Sequence, residues 1–387
     1  MKSLTIIIFL FALVKSYPQT YRLDYIGNIF LYPQGFGIER LGSEGTSGIL
    51  NNVSNISEIN PASINQFPQF SFGLSYQFQS ALPDAYILMT TKIGRVYSYL
   101  PQSFGGVFHY NNFCFGIGAG QKYNGNVDFN LLFAQPIGEI SDYVSTFNYK
   151  QMLQHYSLIV NYKFDNFFIN NSKFSLGMKY NLNRFSEYDK AGSLITSAVL
   201  WASNFEAGFQ YDYAFSDQSN LKFGLSFLNR FDMNGYFEYE EEPVPNPDPY
   251  PGPIYYNGLK TRVKFPAELN ADILFQPVNF LKIAGSIKNV YWNAIEPDIK
   301  NQPIYSLSGI YSGGNLFEIS LGYYYSAWKL VDDLFGNNNE MTAGYITAGL
   351  SFNIQMINLE FALADSHTFS AGKQRRTIGK IGVGIHL

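Results

Sequence analysis

Apolar and polar residues alternate along most of the chain, from about residue 66 to its end. Near the start of this region, Phe70, Phe72 and Leu74 alternate with Ser71 and Gly73. The same period of two recurs in the segments 113–121, 173–181, 221–227, 317–325, 346–352 and 380–387. A period of two places successive side chains on opposite faces of a β-strand. The pattern therefore predicts an all-β chain whose sheet is apolar on one face and small or polar on the other.

We predict that this sheet is a transmembrane antiparallel β-barrel, although a soluble β-sandwich would also alternate. The alternating segments run about 9–15 residues, and a tilted strand crosses a bilayer in ~9–11. Tyr and Phe recur near the segment ends, where membrane barrels carry aromatic girdles. Bilayer hydrocarbon offers no partner for free N–H and C=O groups, so such a sheet must close on itself. Of the 14 to 16 candidate strands between residues 66 and 387, we predict 14, because an even number is expected.

Residues 1–16 are predicted to be a secretory signal peptide. Lys2 supplies a positive start, residues 4–14 form an apolar run interrupted only by Thr5, and the expected cleavage point follows Ser16. The apolar run of 11 residues is shorter than the ~20 that a membrane helix needs. The alternative interpretation is a buried N-terminal strand or helix. A signal peptide followed by a barrel predicts a location in the bacterial outer membrane.

Residues 17–65 do not alternate and are rich in Gly, Asn and Ser. They form either a periplasmic tail or a segment inside the barrel, because a lumen of 14 strands would be wide enough to need filling. The segment ends near Asn60, Pro61 and Ala62. Pro61 fixes its own φ and biases Asn60 towards an extended backbone, and an Asn side chain can cap a turn. The tripeptide therefore suits a well-defined turn that acts as a structural anchor or, alternatively, as a ligand gate.

Two long loops are predicted, at residues 125–149 and 240–258. The first contains the apolar residues Leu131, Leu132 and Phe133. The second alternates Pro with other residues from Pro243 to Pro253, and must be extended because each Pro ring fixes φ and removes a donor. We interpret the Pro-rich loop as a rigid surface loop, or alternatively as a docking segment for a protein partner.

Composition narrows the classes of function. Of the 387 residues, 18% are aromatic and 14% are charged, against roughly 25% charged in soluble domains. The net charge of −4 gives no electrostatic case for nucleic-acid binding. The single Cys114 excludes a disulfide framework, and the four His show neither metal spacing nor a catalytic motif. We therefore predict that the protein is not an enzyme and holds no cofactor or metal.

Charged residues recur on the polar face of the predicted strands. From residue 259 to residue 275 the odd-numbered residues share one face and the even-numbered residues share the other. Val263 and Phe265 are therefore predicted to face lipid, and Arg262 and Lys264 to face the lumen. The same alternation predicts that seven further charged residues point inward: Lys179, Lys222, Lys282, Lys288, Glu318, Glu360 and Lys380. Because both signs are present, most of these charges are expected to pair with each other or with residues 17–65. Alternatively, Arg262 and Lys264 bind an anionic head group such as a fatty-acid carboxylate.

The layout of the chain resembles the FadL family of outer-membrane transporters for hydrophobic molecules. The similarity rests on a Gly-rich stretch, then Glu58-Ile59-Asn60-Pro61-Ala62, then an aromatic first strand. A second short motif, Phe265-Pro266-Ala267-Glu268 followed by Asn289-Val290-Tyr291-Trp292, looks like the family's late strand pair. The resemblance implies a 14-stranded barrel over residues 66–387, and a lumen plugged by an N-terminal hatch over residues 17–65. Asn60, Pro61 and Ala62 match the family's hatch motif.

Two functions are open at this point. The FadL resemblance implies passive uptake of hydrophobic small molecules, such as long-chain fatty acids or aromatic hydrocarbons. A ligand would meet the apolar loop with Leu131, Leu132 and Phe133, enter an aromatic pocket, and be released when the hatch moves. The alternative is a component of a type IX protein secretion system, because barrels of the PorV and PorQ kind look similar in the Asn-Pro-Ala region. The expected partners are outer-membrane lipid and a hydrophobic small molecule.

Overall fold

The structure is a computed structural model that describes eleven ranges of the chain: 32–33, 53–82, 96–133, 143–191, 194–241, 255–295, 297, 300–314, 316–329, 340–368 and 375–387. The predicted signal peptide, and all but Tyr32–Pro33 of residues 17–52, lie outside the described residues. The same is true of residues 242–254, which hold the Pro-rich run.

The described chain is almost entirely antiparallel β-strand. The strands are β1 Tyr32–Pro33, β2 Phe70–Leu82, β3 Val96–Tyr110, β4 Phe113–Phe133, β5 Tyr143–Asp165, β6 Ser172–Ala191, β7 Leu194–Ser216, β8 Ser219–Leu228, β9 Phe231–Glu241, β10 Tyr255–Phe265, β11 Glu268–Val278, β12 Leu281–Val290, β13 Gln302–Gly313, β14 Phe317–Lys329, β15 Glu340–Ile354, β16 Ile357–Asp365 and β17 Arg375–His386. Three short 3-10 helices are Val53–Asn55, Pro61–Gln66 and Trp292–Ala294.

The strands close into a barrel of 14 crossings, as predicted. The last strand, β17, pairs with β2 from Arg375↔Leu82 to His386↔Ser71, which closes the sheet. Two pairs of strands each make one crossing, because the β9–β10 ladder continues the β8–β11 ladder in the same register, so β9 prolongs β8 and β10 leads into β11. With the two-residue β1 set aside, the 17 strands therefore give 14 crossings. The predicted all-β barrel fold is confirmed.

The alternation in the sequence becomes an inside and an outside of this barrel. On β2, the outer side chains Phe72 and Leu74 are exposed, whereas the inner Ser71 and Ser75 are buried. The outer face therefore carries large apolar groups where a membrane barrel meets lipid hydrocarbon. Small inner residues leave room for other groups within the lumen.

The two ends of the barrel differ in their connections. At one end, the short-turn end, the connections have two to six residues: 111–112, 166–171, 217–218, 279–280, 314–316 and 355–356. At the other end, the long-connection end, six connections have 9 to 13 residues: 83–95, 134–142, 242–254, 291–301, 330–339 and 366–374. Residues 69 and 387 lie at the short-turn end, where the N–H of Leu387 donates to Phe70 O.

Both predicted long loops are shorter than expected. Strand pairing continues outward on β4 and β5, where Phe133 pairs with Tyr143. Leu131, Leu132 and Phe133 therefore lie in β4 and not in a loop. Likewise β9 continues to Glu241 and β10 begins at Tyr255. The prediction failed because backbone pairing extends these hairpins through sequence that no longer alternates.

One two-stranded segment departs from the regular wall. We call it the β9–β10 ribbon, residues 231–241 and 255–265. Strand β7 pairs with β8 over residues 206–216 and with β9 only over residues 194–197. Within these described strands, residues 198–204 of β7 have no β9 partner in the ladder. The ladder between β7 and the ribbon is therefore open in its middle.

Among the described residues, no helix combines the length and the apolar character needed to cross a membrane.

Candidate functional site: the barrel lumen

Residues 53–67, here called the inner segment, lie against the inner wall of the barrel. Its buried side chains Val53, Ile56, Ile59 and Ile64 pack together with wall residues such as Ile159. The first 3-10 helix contacts β2 and β3, and the second contacts β5, β6 and β7. The segment therefore lies along a continuous arc of the inner wall, from β17 and β2 to β8.

Asn60 ties the inner segment to the wall. Its Oδ1 accepts a hydrogen bond of 2.9 Å from Ala62 N–H, and so caps the second 3-10 helix. Its Nδ2 donates to Phe209 O at 3.0 Å and to Leu225 O at 3.2 Å. These two carbonyls belong to residues that pair across β7 and β8. One buried amide thus caps a turn and binds two wall strands, which explains why Asn precedes Pro61 here.

Glycines in the wall let the backbone of the inner segment come close. A Cβ at Gly208 would lie 2.0 Å from Asn60 Oδ1, and a Cβ at Gly177 would lie 2.2 Å from the carbonyl carbon of Pro61. On β3, a Cβ at Gly105 would lie 2.0 Å from Val53 O. Only glycine leaves space at these inner positions. The glycines of the polar face are therefore contact sites for the inner segment.

Lys179 is a fully buried cation of the lumen. Its Nζ donates to Ser57 O at 2.8 Å and to Ile59 O at 3.0 Å, and it lies 2.6 Å from Glu206 Oε2. An ammonium group has three N–H donors, and each one has an acceptor here. Lys179 therefore holds two backbone carbonyls of the inner segment and neutralises Glu206.

Glu58 makes a second charged contact between the inner segment and the wall. Its Oε1 lies 2.7 Å from His155 Nε2, and both side chains are buried. Burial alone raises the pKa of a carboxyl group. Here the charges of His155, Lys122 and Lys179 outweigh that effect and lower the pKa of Glu58 from its ordinary 4.5 to about 2. Glu58 is therefore ionised at neutral pH.

The inner surface changes in character along the barrel axis. On β6, successive inward positions from the long-connection end are Phe185, Asn183, Asn181, Lys179 and Gly177. The lumen thus has an apolar layer at Phe185, a polar layer below it, and the inner segment against Gly177. The polar layer surrounds a cavity of about 30 Å³ lined by Ser57, Glu58, Lys122, His155, Asn181, Asn183, Asn204, Glu206, Ser226, Leu228, Glu268, Asn270 and Lys288. Such a cavity holds about two water molecules, and it is too small for a hydrocarbon ligand.

The apolar layer joins the wall to the β9–β10 ribbon. Eight buried residues form this apolar cluster: Leu153, Phe185, Ala198, Leu200, Phe231, Met233, Val263 and Phe265. Leu153, Phe185, Ala198 and Leu200 point inward from β5, β6 and β7, so the ribbon residues that contact them lie inside the wall. The rings of Phe231 and Phe265 stack with centroids 4.9 Å apart. The ribbon therefore covers the inner wall near the long-connection end.

This position corrects the predicted orientation of Val263 and Phe265. Both were expected to face lipid, and both are buried in the apolar cluster. The ladder pauses at residues 229–230 and 266–267, because Pro266 has no N–H to donate. Bending at this pause turns the outer face of the ribbon onto the inner wall. Alternation within the strand cannot report such a bend.

The candidate head-group residues lie on the other face of the ribbon. Arg262 is partly exposed and forms an ion pair with Asp232, and Lys264 is partly buried. Neither is in the apolar cluster. Leu131, Leu132 and Phe133 lie on β4, and their side chains are outside the described part of the structure. A ligand role for these five residues stays a prediction.

The other inward charges mostly have partners, as expected. Glu268 Oε1 lies 2.5 Å from Lys122 Nζ, and its Oε2 lies 2.5 Å from Lys288 Nζ. Lys282 lies 2.6 Å from Glu318. Lys222 Nζ donates to Gln66 Oε1 of the inner segment at 2.5 Å. The lumen is thus lined by paired charges of both signs.

Comparisons with known proteins agree with the fold. No protein-family model and no curated protein sequence matches this chain. Solved structures do match. The toluene transporter TbuX of Ralstonia pickettii superposes with a TM-score of 0.59 at 10% identity, over 91% of this chain and 98% of that one. A FadL homologue of Pseudomonas aeruginosa gives 0.60 at 11% identity, over 92% and 99%. The toluene transporter TodX of Pseudomonas putida gives 0.57 at 13% identity, over 92% and 98%.

The chain has the FadL-type outer-membrane barrel fold. This confirms, for the fold, the resemblance noted in the sequence. Sequence reasoning did not identify the partners of Lys179 in the inner segment or the contact of Glu58 with His155, and it missed the apolar cluster. Alternation identified Lys179 as inward-facing, but no local signal identifies its partners, which lie about 120 residues away.

Proposed function

We propose that the protein is an outer-membrane channel through which uncharged hydrophobic small molecules pass passively. The observation that carries this proposal is the fold: the chain superposes over nine-tenths of its length on barrels that are themselves named as toluene transporters. The apolar, aromatic cluster near the long-connection end is the kind of surface that such a molecule needs. The described neighbours are transporters or channels, which supports a protein that is not an enzyme.

The paired charges favour a neutral ligand over a carboxylate. Lys179 has three acceptors, Lys122 and Lys288 share Glu268, and Arg262 pairs with Asp232. A carboxylate that binds at one of these cations would have to break its pair, and a buried charge that loses its partner costs several kcal/mol, roughly 3–5. An uncharged aromatic hydrocarbon avoids this cost.

The inner segment serves in this proposal as the hatch that closes the lumen, with Asn60, Pro61 and Ala62 as its anchor. The polar layer beside it is also unfavourable for a hydrocarbon, because buried polar groups lose their partners when an apolar molecule displaces them. A sideways route through the wall avoids that layer. The β3–β4 ladder ends at the pair Ser103↔Gly120, and beyond it β1 pairs with β4 instead of β3. We place the exit at this interruption.

Uptake by whole cells tests the proposal, because a lipopolysaccharide outer membrane is itself a barrier to hydrocarbons. Cells expressing the protein, and matched cells expressing an unrelated barrel, would be given labelled toluene or labelled benzoate. We expect uptake of toluene to rise several-fold and uptake of benzoate, the same ring with a carboxylate, to stay unchanged. Equal toluene uptake in the two cell lines would contradict the channel. The solved structures named above give no support to the secretion-system alternative.

A further inference from the structure

We propose that the β9–β10 ribbon is a two-position gate in the barrel wall, and that its apolar face occupies the site of the hydrophobic ligand. In the structure the ribbon is tucked onto the inner wall. In the second position the ribbon lies in the wall, paired with β7, and an uncharged hydrocarbon takes its place against Leu153, Phe185 and Leu200. This inference rests on the proposed function and adds the location of its ligand site.

The ladder splits at one defined point. Asn229 N–H donates to Phe205 O at 3.0 Å, and Asn229 Oδ1 accepts from Phe205 N–H at 2.7 Å. The side chain of Asn204 adds a bond to Asn229 O at 3.2 Å. A side chain thus replaces the backbone acceptor that a continuing ladder would supply at this point. Beyond it, the facing edges of β7 and β9 separate.

Both strands of the ribbon can bend at the same level. The pairs Phe265↔Phe231 and Glu268↔Leu228 flank the unpaired residues 229–230 and 266–267. Three positions separate Leu228 from Phe231, and three separate Phe265 from Glu268. The register is therefore the same on both sides of the break. The β8–β11 hairpin could therefore straighten without a register shift. Pro266 has no N–H to donate, so it cannot form a ladder hydrogen bond that would resist bending at this point.

The sequence of the ribbon suits both positions. Because the register is unchanged, straightening would give Phe231, Met233, Val263 and Phe265 the same orientation as Phe223 and Phe275, whose side chains are exposed on the outer wall. The apolar face would exchange the inner cluster for lipid hydrocarbon, so it stays out of water in either position. Asp232 and Arg262 would then face the lumen. Unbroken alternation through the bend is what a strand needs if it also resides in the wall.

The two positions of the ribbon provide partners for different parts of the barrel. In the tucked position the ribbon gains apolar packing, and the β7 backbone over residues 198–204 lacks its β9 partner. In the wall position that backbone would regain a ladder, and the vacated apolar surface would be exposed. A hydrocarbon that covers this surface therefore favours the wall position, because a ligand shifts an equilibrium only through its differential affinity for the two states. The register of β7 with β8, as in Glu206↔Leu228, differs by one residue from its register with β9, as in Leu194↔Glu241, so the completed ladder would carry a bulge.

A reversible cross-link can lock the tucked position. Leu200 Cδ2 would lie 2.2 Å from a Cβ at Gly235, which places these residues in direct contact. The test variant is Leu200→Cys with Gly235→Cys, in a Cys114→Ala background. The control is Ser286→Cys with Ser306→Cys on β12 and β13, where the native Oγ atoms lie 2.7 Å apart, away from the ribbon. We expect oxidation to reduce toluene uptake to background in the test variant only, and reduction to restore it.

A second measurement follows the ribbon without relying on transport. Hydrogen exchange of the wild-type protein in detergent would be compared with and without toluene. We expect toluene to slow exchange at least tenfold at those amides of residues 198–204 that point away from β6, because the ladder with β9 then forms. The oxidised Leu200→Cys/Gly235→Cys variant should show no such protection.

The outcomes separate the gate from the channel. If wild-type cells take up toluene and oxidation of the test variant has no effect, the gate is overturned and the proposed function stands. If wild-type cells take up no toluene, the proposed function fails, and hydrogen exchange alone decides the ribbon. Protection by toluene would then support the site, and unchanged exchange would overturn it.

Discussion

The inner segment and the β9–β10 ribbon both occupy the lumen, and they are held there by opposite means. The inner segment is fixed by directional bonds: the amide of Asn60, the ammonium of Lys179 and the carboxylate of Glu58. The ribbon is held on the inner wall by apolar packing around Phe231 and Phe265. Directional bonds specify one geometry, whereas apolar contact is nearly indifferent to which apolar partner supplies it. We therefore expect the inner segment to be the more rigid of the two, and the ribbon to be the part that an apolar ligand can displace.

The largest effect is expected when Lys179 is replaced by Met. The substitution leaves Glu206 as a buried charge without its cation and removes the donor to two carbonyls of the inner segment. We expect a loss of about 3–5 kcal/mol in the free energy of unfolding, measured by denaturant titration in detergent. Lys282→Met is the control, because the Lys282 and Glu318 side chains are 24% and 25% exposed and such a pair contributes only ~1 kcal/mol or less. Equal losses in the two variants would show that Lys179 is not an anchor.

A smaller, pH-dependent effect is expected for Glu58→Gln. The pKa of Glu58 is lowered in the folded protein, from 4.5 to about 2. Its ionised form therefore stabilises the fold above pH 4.5, and this contribution is lost as the pH falls towards 2. At about 1.4 kcal/mol per pKa unit the contribution is about 3 kcal/mol. The stability difference between wild type and Glu58→Gln should shrink by that amount between pH 4.5 and 2, and a difference independent of pH would refute the stabilising role of the ionised Glu58 carboxylate.

Gly208→Ala tests the close fit of the inner segment to the wall. The added methyl would lie 2.0 Å from Asn60 Oδ1, so Asn60 must move and weaken its bonds to Phe209 and Leu225. We expect a loss of about 1–3 kcal/mol in unfolding free energy. Gly309→Ala on β13 is the matched control, because its methyl meets no atom within 4 Å. That control should be neutral or slightly stabilising, and a similar loss in both would argue against a specific contact.

The smallest effect on global stability is expected for Met233→Ala in the ribbon. The truncation removes apolar packing from the cluster, but it acts on the bend of the ribbon and leaves the bonds of the inner segment in place. Because opening is local, we expect the unfolding free energy to fall by less than ~1 kcal/mol. Exchange of the ribbon amides should nevertheless become several-fold faster. A global loss as large as that of Lys179→Met would mean that the ribbon and the barrel unfold together.

The barrel and its two faces can be predicted from the sequence because the residue types along a strand reflect the surroundings of each face. Phe72 and Leu74 must meet lipid while Ser71 and Ser75 must not, and this alternation is local and has a period of two. The inward direction of Lys179 and Lys282 and the turn at Asn60 follow from the same local rules. A compact turn before the first strand is likewise a local property of Asn followed by Pro.

Tertiary structure alone decided what fills the lumen. Lys179 meets Ser57 and Ile59, and Asn60 meets Leu225, across 120 to 165 residues of chain. Closure of the sheet sets these neighbours, and no pattern within a strand encodes them. The bend of the β9–β10 ribbon was also hidden, because Val263 and Phe265 keep the alternation of a wall strand while they pack inside. An apolar face is compatible with lipid and with a protein core alike, so the sequence determined that this face avoids water, and the folded barrel determined which apolar surface it contacts.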